Sequence, residues 1–396
     1  MRILLLSASY NLPVEGGAER SLRFLAEGLV DLGHEVKVAS IGDADSEEVV
    51  RGVEHQRLRH GNIYSPLPTS RARNPLLKLV WHAIDSYNPI MAQRFGAVID
   101  EFGPDLVHTN VMAGVSVSAW PAVKRRGLPL VHTLRDYYVP CVRSTMFQNG
   151  HPCTDICFSC YPFRWAARSL SQRVDAVVGN SRFILDHHLR LGTFTDTPLK
   201  RVIYNGYSPP ATPLPPSSES GRLRVGYLGK LTMEKGVEWL LEVFSTLPES
   251  EFELTLAGSG APNYERALQN RFASEHVRFL GFVPPAQLFA SVDLLVVPSL
   301  WPEPLPRTVF EAYGYGTPVL GSDRGGIPEI LRHGETGFVF DPDKPQGLLD
   351  YLWSLQRDRG LLARLRAGAE AMAGNFLPER VAREYLELYR AVIEST

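Results

Sequence analysis

The chain alternates short apolar runs with longer segments in which apolar residues recur every three to four positions. Short apolar runs are typical of buried parallel strands, and the segments between them are typical of helices that cover a sheet. The runs form two series, which are RILLLSAS, HEVKVAS, DLVHTN, LPLVHTL, DAVVGN and KRVIYN, and then LRVGYLG, FELTLAG, VRFLGF, DLLVVPS, TPVLGS and TGFVF. We therefore predict an α/β chain with two doubly wound parallel sheets.

The two series are separated by residues 207–221, with the sequence YSPPATPLPPSSESG. Its prolines and serines are typical of a linker. We predict an N-terminal domain over 1–206, the linker over 207–221 and a second domain over 222–376. Residues 377–396 are expected to form a helix that begins at Pro378 and packs back on the first domain.

Composition limits the class of protein. With 396 residues, 44% of them hydrophobic and 21% charged, the chain is typical of a globular protein of two domains. Its net charge of −2 argues against a general nucleic-acid binder, because phosphate contacts require a basic excess. No apolar run approaches the roughly 20 residues that span a bilayer. The first residues resemble a buried strand rather than a secretory leader, so a cytoplasmic protein is expected.

Gly16 and Gly17 follow the first strand and precede a helical pattern. A glycine pair at a helix start lets an anion approach the first backbone amides, but it is also typical of a flexible turn. Both interpretations remain open from these residues alone. The spacing required for a dinucleotide cofactor, G-x-G-x-x-G, is absent here, and Gly258 and Gly260 lack a third glycine.

Charged residues follow several strands of the second series. Lys230 and Lys235 follow LRVGYLG, and Glu303 lies eight positions before Glu311, between the strands DLLVVPS and TPVLGS. A helix over 307–314 would place its N-terminus and its first side chain near these carboxylates. Cations and helix amides suit a diphosphate, and carboxylates suit hydroxyl groups, so the pattern favours a phosphorylated sugar.

The motifs GGAER, GYLGKLTMEKG, AGSG, GFVPPAQL, EPLPRTVFE and GTPVLGSDRGGIPEI together resemble glycosyltransferase family 4 over essentially the whole chain. The resemblance implies a retaining, metal-independent enzyme of the GT-B architecture, with two Rossmann-like domains that face each other across a cleft. It implies a nucleoside-diphosphate sugar bound mainly by the second domain. It also implies a glycan or lipid-linked acceptor bound by the first.

The resemblance assigns roles to individual residues. Lys230 and Lys235 resemble the basic pair on the donor diphosphate, whose fixed charge favours departure of the nucleotide. Glu311 resembles the carboxylate that holds the ribose hydroxyls, and Glu303 the one near the transferred sugar. The remaining donor-binding candidates are Gly16 and Gly17 beneath the phosphates, together with Gly229, Gly258, Leu305, Pro306, Arg307 and Thr308.

Arg135, in VHTLRD, departs from the family pattern, which usually has a histidine at this position. An arginine stays protonated and cannot act as a general base. The family is generally assigned a same-face mechanism in which a donor phosphate oxygen takes the acceptor proton. Arg135 is therefore a catalytic candidate that stabilises the leaving phosphate, and the alternative is an inactive site.

Two other functions stay open. A nucleotide-sugar 2-epimerase shares the architecture, and a non-catalytic nucleotide-sugar-binding protein would explain Arg135.

His108 and His132 are either hydrogen-bonded structural histidines or cleft residues. Two Asp-x-Asp patterns, at 43–45 and 341–343, are interpreted as loops without a metal.

All four cysteines, Cys141, Cys153, Cys157 and Cys160, lie within twenty residues. Such clustering favours a metal site, with zinc as the first guess and His151 as a spare ligand, but free thiols are an equal alternative.

The basic and aromatic stretch 71–84, RARNPLLKLVWHAI, fits either a peripheral contact with an anionic membrane or an ordinary amphipathic helix that covers the sheet.

Overall fold

The structure is a computed structural model that describes residues 1–12, 16–65, 74–208 and 221–396. The chain forms two compact units. The first contains 1–146, 153–206 and 378–396, and the second contains 147–152 and 207–377. Most of the predicted linker, residues 209–220, lies outside the described residues, as do Arg71 and Arg73.

Both units are built from short strands and helices. Up to the predicted linker these are β1 (Arg2–Leu6), α1 (Gly17–Asp31), β2 (Glu35–Gly42), β3 (Ser46–Val50), β4 (Val53–Arg59), α2 (Pro75–Ser86), α3 (Pro89–Phe102), β5 (Leu106–Thr109), α4 (Ala119–Lys124), β6 (Leu130–Leu134), β7 (Phe147–Gln148), β8 (His151–Pro152), α5 (Tyr161–Ser171), β9 (Ala176–Gly179), α6 (Arg182–Arg190) and β10 (Leu199–Val202). After the linker they are β11 (Leu223–Leu228), α7 (Val237–Phe244), β12 (Phe252–Ala257), α8 (Pro262–Phe272), β13 (Val277–Phe279), α9 (Pro285–Phe289), β14 (Leu294–Val297), α10 (Arg307–Gly314), β15 (Val319–Ser322), α11 (Ile327–Ile330), β16 (Gly337–Phe340), α12 (Gln346–Arg357), α13 (Arg359–Ala373) and α14 (Pro378–Ser395).

The first unit contains a sheet of eight strands in the order β10-β9-β6-β5-β1-β2-β4-β3. All neighbours are parallel except β3 and β4, which form an antiparallel pair at the edge. The six strands predicted for this half are all present. The sequence did not predict β3, β4 and the small pair β7 and β8, because their residues are largely polar. In β4, only Val53, His55 and Leu58 are buried, which is the alternation of a half-exposed edge.

The last helix, α14, completes the core of the first unit. Val381, Ala382, Tyr385 and Tyr389 are among its buried residues, and α14 packs along α1. The Tyr389 hydroxyl lies 2.7 Å from Nδ1 of His108 on β5, and the Tyr385 hydroxyl lies 3.0 Å from Oγ1 of Thr133 on β6. Buried polar groups cost free energy unless they are paired, so these bonds fix the helix on the sheet.

The second unit contains a parallel sheet of six strands in the order β13-β12-β11-β14-β15-β16. All six predicted strands are present, and the predicted helix 307–314 is α10. Two series of parallel strands with intervening helices confirm the predicted fold class. Because the strands are parallel, the loops after β11, β12, β14 and β15 all leave the same edge of this sheet.

At that edge the loops after β11 and β12 lie in direct contact through two glycines. Gly229 and Gly258 have φ values of 158° and 142°, and a Cβ on Gly258 would lie 1.7 Å from the carbonyl oxygen of Gly229. The amide of Gly229 donates to the carbonyl of Ala257 over 3.0 Å. Gly258 therefore has a packing role, separate from any contact that it makes with a ligand.

We expect Gly258→Ala to lower the free energy of unfolding of the second unit by at least about 3 kcal/mol, because the methyl group overlaps a backbone oxygen. The matched control is Gly334→Ala. Gly334 has a φ of 82°, and nothing lies within 4 Å of an added Cβ. The control should cost only the strain of the left-handed backbone, about 1–2 kcal/mol. Chemical denaturation of both variants checks this, and equal losses would refute the packing role.

Candidate functional site

The carboxyl edge of the second sheet carries three loops that contact one another. A 3₁₀ turn, Met233–Lys235, follows β11, and the carbonyl of its Glu234 accepts from the amides of Leu300 and Trp301 after β14. After β15, the amide of Gly326 donates 2.8 Å to the carbonyl of Glu303. The adjacent Gly325 is so close to Glu303 that a Cβ would lie 2.1 Å from its carbonyl oxygen. These backbone contacts fix the positions of the charged side chains at this edge.

Lys235 and Glu303 form an ion pair at this edge. Nζ of Lys235 lies 2.7 Å from Oε2 of Glu303, whose side chain is only 7% exposed. The hydroxyl of Ser299 donates to the other carboxylate oxygen, and Nζ lies 5.4 Å from the centre of the Trp301 ring. The lysine ammonium is thus held by one carboxylate and one aromatic face.

Lys230 has an exposed side chain on the loop after β11. Its backbone carbonyl accepts 2.7 Å from the hydroxyl of Tyr227, which fixes the loop but leaves the ammonium to solvent. Burial raises the pKa of the Tyr227 hydroxyl well above its usual value, and the nearby carboxylate of Glu303 adds to this effect. Tyr227 is therefore a neutral donor between Lys230 and Glu303.

The helix α10 begins at this edge and carries the remaining donor candidates. Pro306 precedes its first turn and supplies no side-chain cap. Arg307 and Glu311 pair along the helix, with 3.0 Å from Nη2 to Oε1 and 3.2 Å from Nε to the same oxygen. Both side chains are largely buried, as is Leu305, while Thr308 is half-buried. The N-terminus of α10 provides positive potential at this point, whereas the charge of Arg307 is largely compensated by Glu311.

In the first unit, α1 begins at Gly17 with Gly16 as its N-cap. Glu19 lies in the first turn of this helix, and its Oε1 accepts 2.8 Å from the hydroxyl of Ser9. A carboxylate in the first turn is itself stabilised by the helix dipole. The glycine pair thus opens the helix as predicted, and the carboxylate of Glu19, the fourth residue of the GGAER motif, lies beside it.

Arg135 follows β6 and is 9% exposed. Its Nε donates 2.9 Å to Oδ1 of Asn110, and its Nη1 donates to Oδ1 of Asn205. Burial is the main influence that lowers the pKa of this guanidinium, and Tyr385, Tyr389, Glu19 and Asp136 oppose it electrostatically. Arg135 is therefore a buried cation whose described hydrogen bonds are to neutral amides.

Asp136 is the next residue, and its carboxylate accepts 2.8 Å from the amide of Tyr138. Burial raises the pKa of Asp136 to about 6, while the amide bond, Arg164 and Arg135 lower it. This carboxyl group therefore changes charge in the range where enzymes are usually assayed.

The two histidines that the sequence singled out, His108 and His132, are hydrogen-bonded inside the core of the first unit. His108 contacts Tyr389 and Thr133, each at 2.7 Å, and Nδ1 of His132 lies 2.9 Å from Oγ1 of Thr109. Burial lowers the pKa of His132 to about 3. Both rings are neutral and paired inside the core, which supports the structural interpretation over a cleft role.

The four cysteines of the predicted metal site lie close together in this structure. In the described ranges, no group of three or more His, Cys, Asp or Glu side chains is arranged to hold a metal ion. All four cysteines are free, with Cys153 and Cys157 in contact at 3.5 Å between their sulfur atoms. The sulfur atoms of the other three cysteines add to the burial that raises the pKa of the Cys153 thiol to about 12, and Cys160 contacts Cys141, so all four thiols lie near one another. A metal site and free thiols therefore both stay predictions for this loop. The two Asp-x-Asp patterns lie outside strands and helices, where Asp45 pairs with Arg94 and Asp343 with Arg324.

Several site residues were not found from the sequence. They are Ser299, Trp301, Tyr227, Gly325, Glu19, Asn110 and Asn205. Trp301 and Ser299 lie just before Glu303 and directly after β14, so their position at a strand end was an available signal. The pairing of Arg135 with Asn205 joins residues seventy positions apart, and no local pattern indicates it.

Family models match both halves of the chain. The model described as "Glycosyl transferase 4-like domain" matches residues 16–206, and the model described as "Glycosyl transferases group 1" matches residues 215–372. A protein from the cps region of Klebsiella pneumoniae, described as uncharacterized, is 33% identical over 334 residues, which cover 84% of this chain and 88% of that protein. An uncharacterized glycosyltransferase of Methanocaldococcus jannaschii is 27% identical, and the aligned region covers 100% of this chain and 99% of that protein.

Solved structures share the fold over the whole chain. Alr3699/HepE of Anabaena in complex with UDP-glucose has a TM-score of 0.73 and 23% sequence identity. The matched region covers 99% of this chain and 100% of the Alr3699/HepE chain. Sucrose-phosphate synthase from Thermosynechococcus elongatus has a TM-score of 0.75 and 20% identity, with both chains fully covered. The chain therefore belongs to the family of GT4-like glycosyltransferases and has the two-domain GT-B fold.

Proposed function

We propose that the protein is a retaining, metal-independent glycosyltransferase that moves a sugar from a nucleoside-diphosphate sugar to a glycan or lipid-linked acceptor. The observation that carries this proposal is the charged edge of the second sheet, where Lys235 and Glu303 form a pair beside α10. The complexes of Alr3699/HepE with UDP and UDP-glucose support a nucleotide sugar as the donor class.

In this proposal the donor diphosphate contacts Lys230, Lys235 and the N-terminus of α10. The bond between the anomeric carbon and the phosphate oxygen breaks, and the electron pair remains on the departing nucleoside diphosphate. The acceptor hydroxyl forms its bond to the anomeric carbon on the same face, and a phosphate oxygen takes its proton. Fixed cations that are already in position stabilise the departing charge, with up to roughly 3 kcal/mol for each one in a dry site.

The carboxylates have a different role from the lysines. Glu303 orients the ammonium of Lys235 and is proposed to contact the transferred sugar. Glu311 is proposed to hold the ribose hydroxyls, while its partner Arg307 fixes the position of that carboxylate. Gly16 and Gly17 are proposed to let backbone amides approach the phosphates. The amides of Gly229 and Gly258 already donate to Ala257 and Gly281, so these two glycines are proposed to shape the donor site through their close backbone packing.

In the first unit, Arg135 is proposed to stabilise the leaving phosphate. Its two asparagine partners are neutral, so its charge is not cancelled by a directly bonded carboxylate. This same substitution of the usual histidine favours the second candidate, a nucleotide-sugar-binding protein without turnover. The nucleotide-sugar 2-epimerase is distinguished by its product.

One assay separates the three functions. The protein is incubated with a panel of nucleoside-diphosphate sugars, and free nucleoside diphosphate and altered donor are measured by chromatography. Release of nucleotide supports a transferase, because such enzymes hydrolyse donors slowly without acceptor. An epimerised donor would support the epimerase, and saturable binding of a donor without either product would support the binder.

The first prediction tests the donor residues. We expect Lys235→Ala and Glu311→Ala each to lower kcat/KM for the donor by at least about tenfold, because each removes a charged hydrogen bond to the ligand. The matched control is Lys344→Ala, since this lysine is largely exposed in the same unit and pairs only with Asp341 in the described contacts. Donor kinetics that are unchanged in both site variants would exclude the proposed donor site.

The second prediction concerns Arg135. We expect Arg135→Ala to lower kcat strongly and to change donor affinity less, because the charge that it stabilises develops mainly in the transition state. Arg135→Lys should retain only part of the parent's kcat, since an ammonium lacks the planar guanidinium geometry that reaches two asparagines. Arg94→Ala, at an exposed ion pair of the same unit, serves as the control. If the parent never releases nucleotide and Arg135→His does, the enzyme assignment fails.

The third prediction concerns the charge of Asp136. Its pKa is about 6 in the folded chain and about 4 in the unfolded chain, so the folded state binds the proton more tightly between these values. The contribution of this group to stability therefore falls as the pH rises from about 4 to 6.

We expect Asp136→Asn to raise the free energy of unfolding at pH 7 by about 1 kcal/mol relative to the parent, a value that allows for screening of the carboxylate by solvent. Near pH 4 the same substitution should raise the free energy of unfolding much less. Thermal unfolding across this pH range measures the difference. Asp186→Asn, at an exposed position on α6, is the control and should not show the same pH dependence. A difference between Asp136→Asn and the parent that is constant with pH would contradict the assigned titration.

A further inference from the structure

The helices α2 and α5 of the first unit expose an unusual amount of apolar surface. Seven of the fourteen exposed large apolar side chains in the described part of the chain lie on α2, on α5 or just before α5. They are Leu76, Leu77, Leu79, Val80, Phe158, Tyr161 and Trp165, and we name this set the α2–α5 surface. Leu76 is 71% exposed and Trp165 is 64% exposed. An apolar cluster of this kind usually marks an interaction site.

The exposed leucines are not those of an ordinary covering helix. Such a helix turns its apolar stripe to the core, whereas in α2 the fully buried side chains are Trp81 and Asp85. Trp81 donates 3.0 Å to the carbonyl of Tyr64, and Asp85 accepts from the amide of Gly114 over 2.7 Å. The helix is therefore attached through a few specific contacts, while most of its apolar side chains face outward.

The same buried cluster anchors both helices. Tyr138 donates 2.9 Å to Oδ2 of Asp85 on α2, and Arg164 on α5 lies 4.3 Å above the centre of the Tyr138 ring. Arg164 also pairs with Asp85 at 3.7 Å, and the rings of His82 and Phe163 are neighbours across the two helices. Two helices that share such a cluster form one rigid platform.

The exposed charges on the α2–α5 surface are mainly positive. They are Lys78 on α2, Arg168 on α5 and Arg173 just after α5, while Arg164 is buried beside Asp85. The exposed acidic residue nearest to this surface in the sequence is Asp155, so cations predominate here although the whole chain carries a net charge of −2. Arg71 and Arg73 precede α2 in the sequence and lie outside the described residues. The surface thus combines leucines, aromatic side chains and cations.

We propose that the α2–α5 surface docks the protein on an anionic lipid bilayer. Leucine and phenylalanine side chains would enter the boundary between headgroups and acyl chains, where tyrosine and tryptophan are also favoured, and the cations would contact lipid phosphates. No helix in the described residues is long and apolar enough to cross a membrane, so the contact is peripheral. This inference rests on the first unit alone and goes beyond the proposed reaction.

The test uses the full chain and vesicles of phosphatidylcholine, with or without about one third phosphatidylglycerol. We expect flotation of the protein with the anionic vesicles at low salt and weaker flotation in high salt, because screening weakens the attraction. Leu76→Ser/Leu79→Ser and Phe158→Ser/Trp165→Ser should each reduce the partition coefficient by at least about tenfold, since each removes two large apolar groups. Lys78→Glu/Arg168→Glu should remove the preference for anionic lipid.

The matched control is Val49→Ser, because Val49 is 70% exposed on β3, outside the α2–α5 surface. This variant should bind vesicles like the parent. Thermal unfolding of every variant verifies that it is folded, and donor hydrolysis without vesicles should equal that of the parent. A parent that binds vesicles but releases no nucleotide would reject the proposed reaction and leave the membrane surface intact.

Three results would overturn the proposal. The first is a folded parent that does not float with anionic vesicles. The second is equal binding by the surface variants and by Val49→Ser. The third is a parent dimer in solution that the surface variants dissociate while vesicle binding is absent, which would assign the surface to a second copy of the chain.

Discussion

In the second unit all six strands run parallel, so the loops that leave their carboxyl ends meet at one edge of the sheet. This constraint brings Lys235 to Glu303, which lies 68 positions later in the chain. Glycines allow the loops to touch, because Gly258 contacts the backbone of Gly229 and Gly325 contacts that of Glu303 at distances that no side chain permits. A charged edge made by backbone contact is more rigid than one made by flexible side chains alone, and such rigidity is what electrostatic stabilisation requires.

The candidate site residues of the two units differ in how their buried charge is paired. In the second unit each largely buried carboxylate of the candidate site has a cationic partner, which reduces the cost of removing it from water. In the first unit Arg135 is held by Asn110 and Asn205. Amide oxygens satisfy the hydrogen bonds of a guanidinium without cancelling its charge. An arginine placed in this way retains its attraction for an anion, whereas an arginine paired with a carboxylate would lose most of it.

Much of the fold could be predicted because its strands are buried. Every predicted apolar run is a strand, and α10 covers the predicted residues, since burial on both faces gives a continuous apolar signal. The outer strands β3 and β4 were missed because most of their residues are exposed or only half-buried, and their polar residues resemble a loop. At the site, the charged residues after each strand were recognisable, but their pairing was not. The zinc site stays a prediction, because the four thiols lie near one another while no group in the described residues is already arranged to hold a metal ion.

The segment after β6 connects the two features of the first unit that the sequence made conspicuous. Arg135 is followed by Asp136, whose carboxylate accepts from the amide of Tyr138. The hydroxyl of Tyr138 then donates to Asp85 on α2, and its ring lies against Arg164 on α5. Two residues therefore separate the candidate catalytic cation from Tyr138 at the centre of the α2–α5 platform, and the hydrogen bonds of this segment are buried or partly buried. An acceptor held in a bilayer beneath that platform would meet a polypeptide segment whose position is already fixed, so that little conformational entropy remains to be lost when the acceptor reaches Arg135.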